Sequence, residues 1–330
     1  MSILVTGGAG YIGSDMVLEL TDAGERVVVL DNLSTGFRWA VHSSVELVVG
    51  DVGDEALVRQ LLTTHKVETI IHFAGSIVVP ESVSDPLGYY LNNTVKSRAL
   101  MAAAVACGCP NFIFSSTAAV YGNPRENPVA EDAPLQPMSP YGSSKLMTET
   151  MLRDTSAAHA LRHVVLRYFN VAGADPAGRS GQSTPQATHL IKVACEAALG
   201  KRPYMNVFGT DYPTPDGTCI RDFIHVKDLA RAHVSALEHL KRGGSSDVFN
   251  CGYSKGYSVL EVIEAVKRAS GNEFEVRLSP RRPGDPAAIV AASAKIRAGL
   301  GWQSEHDDLD RIVAQALAWE ASLRPPEQRN

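Results

Sequence analysis

Short runs of β-branched and aliphatic residues alternate with longer amphipathic stretches through the first half of the chain. The runs Ile3 to Thr6, Arg26 to Leu30, Val45 to Val49, Thr69 to Phe73, Phe112 to Ser115 and Val164 to Leu166 read as buried strands. Near-continuous apolar strands separated by helical patterns predict a parallel sheet covered on both faces, a doubly wound α/β fold of Rossmann type. The rhythm changes after residue 172. From Ala174 to about Gly217 the chain is rich in Gly, Pro, Ser and Thr around a helical pattern at His189 to Leu199, and Ser258 to Ala269 and Asp308 to Glu320 predict further helices. We therefore expect a Rossmann domain over residues 1–172 and a smaller C-terminal α/β substrate domain over residues 173–330, with a polar tail after Leu323.

The 330 residues are 45% hydrophobic and 20% charged, the composition of a globular chain rather than a disordered one. Thirty-one Lys and Arg against 36 Asp and Glu leave a net charge of −5 without a basic run, which argues against a nucleic-acid partner. No apolar stretch approaches the roughly 18 residues of a membrane span. Met1 leads directly into Ile3-Leu4-Val5 without a basic leader, so a cytoplasmic protein with no membrane partner is expected. Cys107, Cys109, Cys195, Cys219 and Cys251 are scattered and form no C-x-x-C, so reduced thiols are expected and no metal site is signalled.

Thr6-Gly7-Gly8-Ala9-Gly10-Tyr11-Ile12-Gly13 follows the first strand, and Gly7, Gly10 and Gly13 make a G-x-x-G-x-x-G turn opening a helix that runs to about Ala23. Such glycines let the backbone approach a pyrophosphate, whose charge then sits against N–H groups at the helix N-terminus. The second strand ends in Asp31, 31 − 13 = 18 residues beyond the last of these glycines. That is close to the roughly 20 expected for a carboxylate that binds the adenosine ribose. An acid there repels a 2′-phosphate, so NAD is the expected cofactor rather than NADP. Asp51, in Gly50-Asp51-Val52 at the end of the third strand, is placed to meet the adenine.

Tyr141-Gly142-Ser143-Ser144-Lys145 is the only Y-x-x-x-K in the chain, and Ser139-Pro140 before it starts a helix that puts Tyr141 and Lys145 one turn apart on one face. A free phenol has a pKa near 10 and is a poor base at neutral pH; a nearby ammonium and a positive nicotinamide ring would both favour the phenolate. The strand Phe112 to Ser115 runs into Ser116-Thr117, delivering hydroxyls to the sheet edge where ligands of open α/β sheets bind. Thr117 is expected to bond a substrate hydroxyl and pass its proton to Tyr141.

These segments, with Leu30-Asp31-Asn32-Leu33, His72-Phe73-Ala74-Gly75, Glu81-Ser82-Val83, Val120-Tyr121-Gly122, Leu166-Arg167-Tyr168-Phe169-Asn170, Gly209-Thr210-Asp211-Tyr212-Pro213-Thr214 and Arg221-Asp222-Phe223-Ile224-His225-Val226, resemble the extended short-chain dehydrogenase/reductase superfamily. Within it the chain is similar to the UDP-glucose (galactose) 4-epimerase family over nearly its whole length. The resemblance implies a sheet of seven parallel strands, a return of residues 222–252 partly to the Rossmann domain, and a homodimer packed through helices near Asn92 to Cys107 and Lys145 to His159. It implies NAD contacts from Gly7, Gly10, Tyr11, Ile12, Gly13, Asp31, Asn32, Leu33, Ser34, Thr35, Gly36, Asp51, Val52, Phe73, Ala74, Gly75, Asn92, Lys145 and Phe169. Thr117, Tyr141 and Lys145 would be catalytic. A UDP-sugar substrate would be held by Asn170, His189, Leu190, Val207, Phe208, Arg221, Arg282 and Asp285, the two arginines facing the diphosphate and ribose.

Four positions depart from the family pattern. Asp15 replaces a usual His, and would either burden the phosphate end with a carboxylate or face solvent. Ile77 replaces a frequent Lys, His189 a common Asn, and Ile289 occupies a place whose size bears on entry of N-acetylated sugars. Pentose or N-acetylhexosamine epimerisation is therefore an open alternative. Dehydration is disfavoured, since Ala118 and Ala119 stand where dehydratases carry an acid pair.

Overall fold

The computed structural model describes residues 2–282 and 284–323; Met1, Pro283 of the Arg281 to Asp285 motif, and the tail after Leu323 lie outside them. The first half runs β1 (Ser2–Thr6), α1 (Tyr11–Asp22), β2 (Val27–Asp31), β3 (Glu46–Val49), α2 (Glu55–Thr64) and β4 (Val67–His72). Next come short helices α3 (Val79–Ser84) and α4 (Pro86–Tyr89), a π-helical turn over Tyr90–Val95, α5 (Lys96–Ala106), β5 (Asn111–Thr117), α6 (Pro140–Ala158) and β6 (Arg162–Tyr168). The second half runs β7 (Asn170–Ala172), α7 (Leu190–Ala198), β8 (Tyr204–Phe208), β9 (Ile220–His225), α8 (Val226–Lys241) and β10 (Asp247–Cys251). It ends with β11 (Gly256–Ser258), α9 (Val259–Ser270), β12 (Glu275–Ser279), β13 (Ala288–Ile289), α10 (Ala294–Leu300) and α11 (Leu309–Ser322).

Seven parallel strands form the main sheet in the order β10-β6-β5-β4-β1-β2-β3. Side chains alternate between its faces, as the two-residue strand period requires. Ile3, Val5, Val29, Ile71, Ile113 and Val164 pack with α1 and α8 on one side. Leu4, Val28, Leu30, Ile70, Phe112, Phe114 and Val165 pack with α2, α5 and α6 on the other. Both faces being covered explains why these strands read as continuous apolar runs. The third run departs from its expected burial: β3 is the sheet's edge, and Val49 is half exposed.

Local chemistry fixes the helix starts. Asp54 accepts from Leu57 N at the head of α2, Ser139 accepts from Gly142 N ahead of Pro140 on α6, and Ser258 and Glu261 form a reciprocal capping box on α9. The second half adds a small sheet in which β9 pairs β11, β13 and β7, and a parallel pair of β8 with β12. Strand β10 leaves this region to pair β6, so residues of the second half complete the main sheet. Among the described residues no helix is long and apolar enough to cross a membrane.

Candidate active site

One cleft of about 2010 Å³ runs along the C-terminal ends of the main-sheet strands and continues between them and the small second-half sheets. Strand order reverses at β1, which is flanked by β4 and β2, the place where open α/β sheets bind ligands. Gly7 follows β1 at φ +73°, and a Cβ there would lie 2.6 Å from Ala74 N. A Cβ on Gly13 would lie 2.1 Å from Gly7 O, so the first turn of α1 can sit against the loop only without a side chain. Gly10 is the N-cap of α1 and no side chain caps that helix, which leaves its first-turn N–H groups facing the cleft for an anion. The Asp31 carboxylate braces the cradle by accepting from Ala9 N at 2.9 Å and from Leu33 N at 2.8 Å. Asp51, also on the cleft wall, accepts from Lys96 Nζ at 2.5 Å and Gly53 N at 2.7 Å. A glycine-lined turn on a helix N-terminus, followed by an acid at the end of β2, fits a dinucleotide with a free ribose hydroxyl pair.

The reactive centre lies where β5 ends against α6. Thr117 and Tyr141 both line the cleft, with the Thr117 hydroxyl beside the Tyr141 phenol and accepting from Ala119 N at 3.1 Å. Burial raises the phenol's pKa above its ordinary value, and the neighbouring Thr117 hydroxyl works the other way. The acidification expected from Lys145 is not a property of the chain alone. Lys145 donates from Nζ to Ser115 O at 3.1 Å and lies 5.0 Å from the Phe114 ring centre; burial lowers its own pKa to about 8. It sits beneath Gly75, whose missing Cβ would be 3.5 Å from Nζ, and is not part of the cleft surface. Ser116, the other hydroxyl at the end of β5, faces the opposite way: it is buried and bonds Glu149, which forms a buried pair with Arg167 at 2.6 Å.

At the far end of the cleft stand Asn170, His189, Leu190, Phe208, Arg221, Arg282 and Asp285. The Arg221 guanidinium donates to Ile220 O and Pro286 O, both at 2.9 Å, and reaches Asp285 at 3.6 Å, so its charge is held at a fixed place. Arg282 stacks 3.7 Å from the Phe208 ring centre. His189 is held neutral by burial, with Nδ1 lacking a hydrogen-bond partner. Ile289 lines the cleft while packed among Ala118, Val120, Tyr121 and Phe169, and Ile77 lines it half exposed.

The cleft thus brings together Gly7, Gly10, Tyr11, Ile12, Gly13, Asp31, Asn32, Ser34, Thr35, Asp51, Val52, Phe73, Ala74, Gly75, Asn92, Thr117, Tyr141 and Phe169 with the nucleotide-end residues above. Four expected contacts lie off its surface. Lys145 is beneath it; Leu33, at φ +57°, turns into the core; Gly36 packs on Ala9; and Val207 is buried in the core beside Met205. Along β8 the side chains alternate, so Asn206 and Phe208 point one way and Val207 the other. Asp15 is in neither expected place. It lies buried on α1 near α8, without a hydrogen-bond partner and 3.8 Å from Lys227, and burial pushes its pKa up to about 7 against the pull of that lysine.

Other cleft residues were not singled out by sequence reasoning. Asn206 and the segment 182–188 line the cleft at its arginine-bearing end, and Ser76 lines it next to Gly75. Asn93 accepts from Ser76 N at 2.7 Å and donates to Ser144 Oγ at 3.0 Å, tying that wall to the helix bearing Tyr141. The strand period at β8 was the signal for Asn206; the loop residues carry no periodic pattern.

A glycine-lined cradle for a dinucleotide at one end of the cleft, Thr117 and Tyr141 along its wall and two arginines at the other end define an enzyme of the dinucleotide-dependent class. Residues 3–252 match the NAD dependent epimerase/dehydratase family, and the chain belongs to that family. A UDP-glucose 4-epimerase of Azospirillum brasilense is 59% identical over 321 residues, covering 97% of this chain and 92% of that protein. A crystal structure of UDP-glucose 4-epimerase from Brucella ovis in complex with NAD has a TM-score of 0.93 and 44% identity, covering 96% of this chain and 97% of that one. One from Bifidobacterium longum in complex with NAD+ and UDP has a TM-score of 0.92 and 38% identity, covering 97% and 98%. The chain's cofactor is NAD.

Proposed function

We propose that this chain is an NAD-dependent isomerase that interconverts UDP-glucose and UDP-galactose by inverting C4 of the sugar. The observation that carries the reading is the Thr117–Tyr141 pair midway between a dinucleotide cradle and an arginine-bearing nucleotide end within one cleft. When bound, NAD supplies an acceptor for the C4 hydride and returns it. Thr117 receives the sugar 4-hydroxyl and passes its proton to Tyr141, which gives it back to the opposite configuration. Arg221 and Arg282 grip the diphosphate while the hexose meets the neutral side chains of Ile77, Ile289 and Phe169. Firm anchoring of the nucleotide with a loosely held sugar lets the flat 4-keto sugar present either face. Residues 1–172 with 222–252 hold the cofactor, and the rest of 173–330 holds UDP.

We also infer a cytoplasmic homodimer. Val83, Leu87, Leu91 and Val95 recur every fourth residue from α3 through the π-helical turn, and all are exposed, as is Met147 of α6. An apolar stripe of this length is more than scattered surface residues supply. All five thiols are free and Cys107 is exposed, which suits a reducing compartment.

Incubation with UDP-glucose, UDP-galactose, UDP-xylose and UDP-GlcNAc, with products resolved by NMR, tests the reading. The hexose pair should interconvert without a dehydration product, and Tyr141→Phe should lose about 10²–10⁴-fold in turnover while remaining folded and NAD-loaded. Undiminished turnover in that variant would remove the assigned base.

A further inference from the structure

Three segments meet at one side chain, Trp319 of α11. Its ring centre lies 6.4 Å from that of Trp39, and Trp39 stacks on Phe37 at 5.1 Å. Phe37 closes the loop that begins at Asp31: its N–H donates to Ala9 O at 2.9 Å, and Gly36 lies so close to Ala9 that a Cβ would come within 2.8 Å. Ser34 and Thr35 of this loop form cleft wall. On its other side the Trp319 ring fills the space over Gly181, where a Cβ would come within 2.4 Å, and its indole N–H donates to Ser183 Oγ at 3.2 Å. The loop holding Ser183 lines the same cleft. The turn of α11 that bears Trp319 is anchored next door, where Glu320 pairs with Lys192 and with Lys201 at 2.8 Å. Trp39 itself is 42% exposed, and neither tryptophan lines the cleft.

We propose that Trp39 and Trp319 form a latch that retains the dinucleotide, as positioning residues that hold the loop 32–40 closed against the phosphate cradle. The proposal rests on reading Asp31 to Gly36 as the adenosine-binding segment. An enzyme that takes and returns hydrogen within one bound dinucleotide has no use for cofactor exchange, and opening this loop requires separating the two indole rings. A tilted aromatic pair at this separation shifts such an opening equilibrium by up to about tenfold.

The test is the rate at which bound NAD in the holoenzyme exchanges with excess isotopically labelled NAD. Trp39→Ala and Trp319→Ala should each exchange about tenfold faster, the double variant no faster than the quicker single one, and Trp39→Phe within about twofold of wild type. Because Trp39 is a surface loop residue, Trp39→Ala keeps the test decisive even if Trp319→Ala unfolds. Exchange at the wild-type rate in folded Trp39→Ala overturns the latch. Asp31→Asn separates the two readings: if it speeds exchange while Trp39→Ala does not, the latch alone is wrong, and if neither does, the adenosine assignment falls as well.

Discussion

Thr117 and Tyr141 stand side by side, buried and facing the cleft, so the proposed proton path uses two side chains from different elements. Thr117→Ser keeps the hydroxyl and should retain turnover within a few-fold. Thr117→Val removes it and should cost about 10²-fold in kcat with little change in KM. Equal kinetics in the two variants, measured with UDP-galactose, would show that the hydroxyl carries no proton. Asp15 offers a test away from the chemistry. Its folded pKa of about 7 exceeds the roughly 3.9 of an unfolded aspartate, so the native chain takes up a proton as pH falls from 7 towards 4. Wild type therefore gains stability across that window, at about 1.4 kcal/mol per pH unit from this group, and lacks that gain above pH 7. Asp15→Asn cannot titrate; its Tm relative to wild type should be highest at pH 8 and decline by pH 5.5. A Tm difference independent of pH would place the charge of Asp15 outside the stability balance.

At the scale of elements, the strand–loop–helix unit of β1 and α1 depends on a contact no side chain can occupy. Gly13→Ala puts a methyl 2.1 Å from Gly7 O, so the loop must move, and the purified variant should carry at least about tenfold less NAD by absorbance and extraction. Full loading would mean that the cradle is not where the pyrophosphate rests. This unit was legible in the chain because glycine spacing, a buried strand and an acid at the end of β2 are local signals. Strands β1, β2, β4, β5 and β6 were legible for the related reason that both faces are covered. The short strands β7, β9, β11 and β13 were not, since two to six residues with mixed polarity carry no period of their own and form only by pairing with distant segments. The side chains that fall off the cleft surface do so for the same reason. Adjacent residues on a strand face opposite ways, which separates Thr117 from Ser116 and Phe208 from Val207. Lys145 shares a helix face with Tyr141, as its spacing requires, but where its long side chain ends is decided by Ser115 of another strand.

For the molecule as a whole, the main sheet, the nucleotide end and the helices α3 to α6 serve different tasks while sharing residues. Strand β10 from the second half completes the sheet that bears the cofactor cradle, so the two halves should unfold together. The exposed stripe Val83, Leu87, Leu91 and Val95 lies on the segment that also supplies Asn92 to the cleft wall. Leu87→Glu with Leu91→Glu should convert a dimer to a monomer in light scattering, and a wild-type mass equal to that of a single chain would remove the dimer. The central claim, that one carbon of the sugar loses and regains its own hydrogen within the cleft, is tested most directly with UDP-glucose deuterated at C4 and enzyme given no added nucleotide. The account predicts UDP-galactose that retains the deuterium at C4. Deuterium lost to water, or product formed only when NAD is added, would contradict it.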